Sequence, residues 1–265
     1  NAEAARLSKQ LVTIRTDAPI ELDLEALRRE PPDGARLREL FLDLEFHGLA
    51  REYAPEEPGA DEEAPGTDAE ERRYETVTDP ARVSELVGLL RQAGTIAIDT
   101  ETTSIDPMRA DLVGISFASE PGRAWYLPFA HRPPSTVPDA QGNPSFAFDT
   151  TEVPNLPALE SDGMSELRAL IADPGVPKVG HNIKYDMIVL ERAGAPVGGI
   201  EFDTSLGSYV LDPGKRSHSL DMLGLERLKR KLISYSDVCG SGRSQIPFAE
   251  VPLDRATEYA AEDAD

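Results

Sequence analysis

Apolar positions recur along the chain with two different periods, and each change of period marks a new element. Near the start, Asp23-Leu24-Glu25-Ala26-Leu27 and Ala35-Arg36-Leu37-Arg38-Glu39-Leu40-Phe41-Leu42-Asp43-Leu44 space their apolar residues as helices do. Pro31-Pro32 and Gly34 separate the two pieces. They hold too few apolar residues for a core of their own, so residues 1–53 dock elsewhere or end a preceding domain. Over 55–66 the pattern dissolves into an acidic run rich in Pro and Gly, without aromatics. Such a run buries too little apolar surface to offset its ordering entropy, so residues 54–73 read as a flexible linker.

Residues 74–265 read as the compact part. Tyr74-Glu75-Thr76-Val77 is a candidate strand, and Asp79-Pro80 opens a helix with Asp79 as N-cap and Pro80 in its first turn. Val83, Leu86, Val87 and Leu90 form the apolar stripe of that helix, and Gly94 ends it. Thr95-Ile96-Ala97-Ile98 is a short apolar, β-branched run of the kind found in strands buried on both faces. Residues 112–117 and 124–129 make two more strands around Glu120-Pro121-Gly122, which predicts an antiparallel meander. The Pro-rich, polar stretch 132–160 reads as a surface excursion. Beyond it, the spacing predicts helices over 164–171, 182–193, 203–211 and 219–232, with a strand at 176–179. Ile183, Met187, Ile188 and Leu190 are the expected inward positions of the second helix. Segment 233–251 is irregular, and Asp254 is expected to cap a last helix running to Asp265. An antiparallel start followed by strand and helix alternation makes a mixed α/β layered domain.

Composition narrows the function classes. A chain of 265 residues suits one large domain with appendages. It opens on Asn1 rather than Met, as an excerpt of a longer protein would. It has neither an apolar run long enough to span a bilayer nor a basic-then-apolar leader, so no membrane partner is expected. Cys239 is the single cysteine, which rules out an internal disulfide and fits a reducing cytoplasm. With no catalytic partner near it in sequence, it reads as a bystander. The formal net charge of −21 argues against a stand-alone DNA-binding module, because phosphate neutralisation supplies most of such a module's affinity. It does not argue against a nuclease that recruits metal ions.

The candidate chemistry is carboxylate chemistry. Asp99 and Glu101 end the buried strand two residues apart, so they share a face while Thr100 points to the other. Two adjacent acids repel, and a cation between them relieves the repulsion; taken alone, they also fit a strand that ends in an acidic turn. Asp186 lies where its helix begins to be buried, though a first-turn acid facing the helix dipole would look the same. Tyr259 and Asp263 are four apart on one face of the last helix, while Glu262 and Asp265 point elsewhere and read as solvated. Together, Asp99, Glu101, Asp186 and Asp263 are the hard oxygen donors that a two-metal phosphoryl-transfer site needs. Tyr259 is a phenol able to hold an attacking water.

Three stretches carry a family resemblance: Asp99-Thr100-Glu101-Thr102, His181-Asn182-Ile183-Lys184-Tyr185-Asp186, and Tyr259-Ala260-Ala261-Glu262-Asp263. In order, they resemble the three motifs of the DEDDy 3′–5′ exonucleases, most of all the proofreading domain of bacterial family A DNA polymerases. The resemblance covers about 74–265, and Phe202-Asp203-Thr204 is similar too. Leu7-Ser8-Lys9-Gln10-Leu11, Arg15-Thr16-Asp17 and 40–50 resemble the end of the 5′ nuclease domain that precedes it. The resemblance implies a ribonuclease H-like mixed sheet flanked by helices. It implies two divalent ions, Mg2+ or Mn2+ with Zn2+ as an alternative at one site. Asp99, Glu101 and Asp263 would hold the first, and Asp99 would bridge to a second served by Asp186. Tyr259 and Glu101 would orient the nucleophile. Thr102, Ile105, Asn182, Tyr185 and Tyr235 would position the last nucleotides of a single DNA strand, with Tyr235 stacking on a base.

The resemblance further implies a monomer in the bacterial cytoplasm, nucleoid-associated, with a polymerase domain expected C-terminal in the same chain. His181 stands where relatives often carry Gln. The chain stops two residues past Asp263, so the last helix is expected to be cut short and to fray. The alternatives are an RNA-trimming enzyme similar to ribonuclease D and a non-catalytic architectural domain.

Overall fold

The computed structural model describes residues 2–14, 17, 31–44, 46–53, 72–138, 144–146 and 152–265. The helical piece around Asp23 and the linker at 55–66 lie outside the described residues. In chain order the elements are α1 (Ala2–Val12), α2 (Gly34–Asp43), α3 (His47–Glu52), β1 (Arg73–Thr76), α4 (Pro80–Leu90), β2 (Ile96–Thr102), β3 (Leu112–Glu120) and β4 (Arg123–Pro128). They continue as β5 (Thr136–Pro138), β6 (Pro144–Phe146), α5 (Ser165–Ala172), β7 (Lys178–Gly180), α6 (Lys184–Arg192), β8 (Ile200–Asp203), α7 (Thr204–Leu211), α8 (Leu220–Arg227), α9 (Tyr235–Cys239) and α10 (Leu253–Ala264).

Six strands form one mixed sheet in the order β1-β4-β3-β2-β7-β8. The meander β2-β3-β4 is antiparallel, as the turn at Glu120-Pro121-Gly122 predicts. β1 adds to β4 in parallel, and β7 and β8 extend the other side in parallel. β5 and β6 form a separate hairpin inside the Pro-rich excursion.

Side-chain alternation gives the sheet two different faces. Ile96, Ile98, Ile115, Phe117, Trp125 and Leu127 point to one face, where the stripes of α4 and α5 close the main core. The predicted stripe of α4 is buried throughout, and Asp79 accepts from the Ala81 N–H at 2.9 Å as its N-cap. On the other face Val113 and Tyr126 pack against Phe248, Ala256 and Ala260, which seats α10 across the meander. Small residues allow the close approach: Ala118 and Ala124 meet Ala261 and Ala264. At the N-terminal end, Ala50 of α3 is buried with Met222 and Leu225 of α8, so this helical piece docks on the rest of the chain.

Several boundaries differ from the sequence reading. Asn182 is not the first turn of a helix: its φ is +57° and α6 starts at Lys184. On α6 the buried positions are Asp186, Val189 and Leu190, while Met187 and Ile188 are only partly buried. The strand β8 was not anticipated, and α8 stops at Arg227 rather than running to 232. Pro252, not Asp254, occupies the N-cap of α10; Asp254 lies in the first turn, where a negative charge still favours the helix end.

Candidate active site

β2 runs through the middle of the sheet and delivers its two carboxylates at the C-terminal end. Asp99 is half-buried and Glu101 is buried, and both face α10 as alternation requires. From α10, Asp263 comes into the same space. Asp99, Glu101 and Asp263 each offer a carboxylate oxygen within 4.8 Å of the others. Among the described residues this is the one group of three or more acidic, His or Cys side chains placed to share an ion.

The fourth carboxylate arrives from the opposite side of the sheet. Thr100 points away from Asp99 and Glu101, and there its hydroxyl donates to Asp186 Oδ1 of α6 at 2.5 Å. Asp186 therefore stands outside the close trio, yet its charge still disfavours ionisation of Asp99 and Glu101. Burial and then the neighbouring carboxylates push Asp99 and Glu101 well above the usual carboxylate range. Burial pushes Asp186 up to about 7, partly offset by the Thr100 hydroxyl. Asp263 also rises to about 7 through burial, with the Tyr259 phenol opposing the rise. Burial and the charges of Asp263, Glu101 and Asp99 drive the Tyr259 phenol far upward, so it keeps its proton.

The surrounding elements fix these groups. Gly114 lies across from Glu101 in the β2–β3 register, and a Cβ there would collide with the Tyr126 ring. Tyr126 fills that space, buried, with its hydroxyl 2.8 Å from His131 Nε2. Asp203 ties two helix starts together. Its carboxylate accepts from the N–H groups of Asn182 and Ile183 at 3.0 and 3.1 Å, and from those of Ser205 and Leu206 at 2.9 and 3.1 Å. That double cap holds Asn182 in its left-handed conformation just before α6. His181 Nδ1 lies 2.9 Å from the Thr204 hydroxyl.

The expected substrate residues separate into two groups. Thr102 and Tyr185 come together, their hydroxyls 2.5 Å apart, and Tyr185 also donates to the Ser104 carbonyl. Tyr235, 42% exposed, places its ring 6.4 Å from that of Tyr259 and stacks on Phe248. Asn182 and Ile105 are exposed on the turns before α6 and after β2, with Ile105 at 97%.

The solvated roles expected for Glu262 and Asp265 are overturned. Glu262 is buried, accepting from Arg230 and from the Ile233 N–H, both at 2.6 Å, with Arg72 at 3.6 Å. Asp265 accepts from the Tyr74 hydroxyl and the Gly122 N–H, both at 2.6 Å. At its end α10 is tied to β1, to the β3–β4 turn and to the segment after α8. The sequence reading named Thr100 and Asp203 but gave neither a role in holding the site. An acid directly before Thr204-Ser205-Leu206 is a legible N-cap signal, whereas nothing along the chain pairs Thr100 with α6.

Residues 74–265 match the model of a family described as 3′–5′ exonuclease, of the DNA polymerase A type. Over its whole length the chain is 36% identical to DNA polymerase I of Pseudomonas aeruginosa and 32% identical to that of Rhizobium leguminosarum. It covers 28% and 32% of those two proteins, so the chain spans about 30% of the length of the curated relatives it matches. Among solved structures, the catalytic core of RRP6 from Trypanosoma brucei aligns with a TM-score of 0.50 at 16% identity, over 77% of this chain and 47% of that one. At that identity the likeness concerns the fold alone.

Proposed function

The chain belongs to the 3′–5′ exonuclease family of A-type DNA polymerases, and from that premise we propose that residues 74–265 remove nucleotides one at a time from the 3′ end of a single DNA strand, with the help of divalent cations. The observation that carries the reading is the trio Asp99, Glu101 and Asp263, three carboxylates from two elements whose oxygens lie within 4.8 Å. Their raised proton affinities say that so many buried negative charges are not stable side by side unaided. Hard oxygen donors at that spacing suit Mg2+ or Mn2+. Asp99, Glu101 and Asp263 would hold one ion, and Asp99 with Asp186 a second. Bound there, such ions supply positive charge to a phosphodiester and make water acidic enough to attack at neutral pH.

The chain's own residues do the rest. Glu101 accepts a hydrogen bond from the attacking water and sets its direction. Tyr259 keeps its proton and so acts as a donor, toward that water or a non-bridging phosphate oxygen. The water gives up a proton to solvent as its oxygen joins phosphorus. The P–O3′ bond breaks, the departing O3′ takes up a proton from solvent to leave a 3′-hydroxyl on the shortened strand, and a nucleoside 5′-monophosphate leaves. Thr102, Tyr185, Asn182 and Ile105 would hold the terminal nucleotides, and the exposed ring of Tyr235 would stack on a base.

Whole-chain likeness to DNA polymerases supports DNA rather than RNA as the substrate. It also supports reading residues 1–53 as the helical tail of a 5′-nuclease-like domain, 54–73 as a linker, and a polymerase domain as the C-terminal partner, with proofreading as the role of the whole.

A 5′-labelled single-stranded oligonucleotide incubated with the protein and Mg2+ or Mn2+ tests the reading. A ladder that shortens from the 3′ end by single nucleotides and vanishes with chelator is expected. Asp186→Ala should keep the fold and lose hydrolysis by orders of magnitude. Full activity in that variant would remove Asp186 from the machinery, and no cleavage even by a chain extended past Asp265 would overturn the enzyme.

A further inference from the structure

The segment after α8 reads Arg227-Leu228-Lys229-Arg230-Lys231, four basic residues in five within a chain of net charge −21. These side chains divide by direction. Arg230 turns inward to Glu262, while Arg227, Lys229 and Lys231 are exposed. Lys229 occupies an unusual place. It follows the C-cap of α8 with φ of +55°, and the N–H groups of Leu228 and Arg230 both turn back to the Gly224 carbonyl, at 3.0 and 3.2 Å. A left-handed residue just past a helix end is where glycine is favoured, because a Cβ is strained there.

Among the described residues, one other non-glycine residue has a positive φ, and it is Asn182. Asparagine tolerates that region far better than lysine does. A cation near the end of α8 also interacts well with its last carbonyls, but Arg227 already provides one from an ordinary helical backbone. Helix capping therefore does not account for a strained lysine.

The segment's course supplies the account. From Lys229 it runs along α10 toward the carboxylates: Arg230 and the Ile233 N–H grip Glu262, the neighbour of Asp263, and Tyr235 reaches Tyr259. We infer that Lys229, assisted by Arg227, contacts the phosphodiester backbone of the single strand on its way to the site. This rests on the exonuclease reading and adds to it the place where the strand's charge is met. A chain of net charge −21 repels a polyanion at long range, so local cations must be held at fixed points along the approach. The backbone strain at Lys229 is the cost of presenting one such cation from a turn anchored by Arg230.

The test uses Lys229→Gly and Lys229→Arg, with binding of a 5′-fluorescein single-stranded oligonucleotide followed in EDTA across a KCl series. Lys229→Gly should raise the thermal midpoint, because glycine suits the turn, and yet weaken binding. It should also flatten the slope of log affinity against log salt by about 0.7, the share of one phosphate contact on a single strand. Lys229→Arg should keep the wild-type slope. A stabilised Lys229→Gly with an unchanged slope overturns the contact while leaving the exonuclease reading intact. Absence of wild-type binding, in EDTA and with Mn2+ alike, overturns the contact, while the exonuclease reading stands or falls separately on the single-nucleotide ladder.

Discussion

At Thr100, one hydroxyl on the far face of β2 is given to Asp186, and it is among the few groups there that favour the ionised carboxyl. Thr100→Val keeps the shape and removes the donor. Asp186 should then hold its proton more tightly, and the pH–rate profile of hydrolysis should move to higher pH, with Thr100→Ser restoring it. An unmoved profile would show that the bond has no bearing on Asp186. The four carboxyls also set a pH dependence for the metal-free protein. Asp186 and Asp263 are pushed up to about 7, and Asp99 and Glu101 also lie well above their ordinary values. Each binds its proton more tightly folded than unfolded, so the stability this contributes is full below about pH 4 and is lost as pH rises through about 7. The metal-free thermal midpoint should fall between about pH 5 and 8. A midpoint that rises over that window would contradict the raised proton affinities.

α10 shows what an element needs in order to carry a site. Tyr259 and Asp263 lie on one side of it and face β2, while Glu262 and Asp265 lie on the other and are tied down by Arg230, Tyr74 and the Gly122 N–H. Glu262→Ala leaves Arg230 and the Ile233 N–H without their shared acceptor at a site where Glu262 is 6% exposed. Leaving a half-buried guanidinium and a backbone N–H without that acceptor costs about 2 kcal/mol, which urea unfolding should read as a lowered midpoint with an unchanged slope. Glu262→Gln, which keeps the volume and one of the two accepting oxygens, should cost less. The elements that sequence patterning found are those with a full stripe or a strong cap, such as α4. β8 escaped because it is four residues long at a sheet edge, with Ile200 and Phe202 exposed at 38% and 52%. Its partner β7 defines it, and a partner is not a property of the segment. α8 ends early for a related reason: the chain turns left-handed at Lys229, and the next residue, Arg230, pairs with Glu262 of α10, a contact no local pattern shows.

For the whole molecule, charge and metal are coupled. A net charge of −21 destabilises the compact state by self-repulsion, and the trio Asp99, Glu101 and Asp263 brings three of those charges close together. Mn2+ should therefore raise the thermal midpoint as free ion exceeds its dissociation constant, by about 2.7 kcal/mol of added stability at a hundredfold excess. The shift should be larger at about pH 8 than at about pH 6, since ions compete with protons for the same oxygens. A merely architectural domain would show no shift at either pH.

The chain by itself determined the acidic chemistry, the meander and the domain's α/β class. Alternation along β2 fixed which face Asp99 and Glu101 share, and the i, i+4 spacing fixed that Tyr259 and Asp263 go together. These are short-range consequences of backbone geometry, legible wherever the period is unbroken. Tertiary structure alone decided that α10 lies on the face of β2 bearing its two acids, which completes the trio, and that α6 lies on the other, which gives Asp186 to Thr100. It also decided that Glu262, solvated by pattern, is buried, and that the Asp265 carboxylate is tied to Tyr74 and the Gly122 N–H. Contacts between residues as far apart as Tyr74 and Asp265 depend on packing two faces of one sheet, and no local period encodes which helix takes which face.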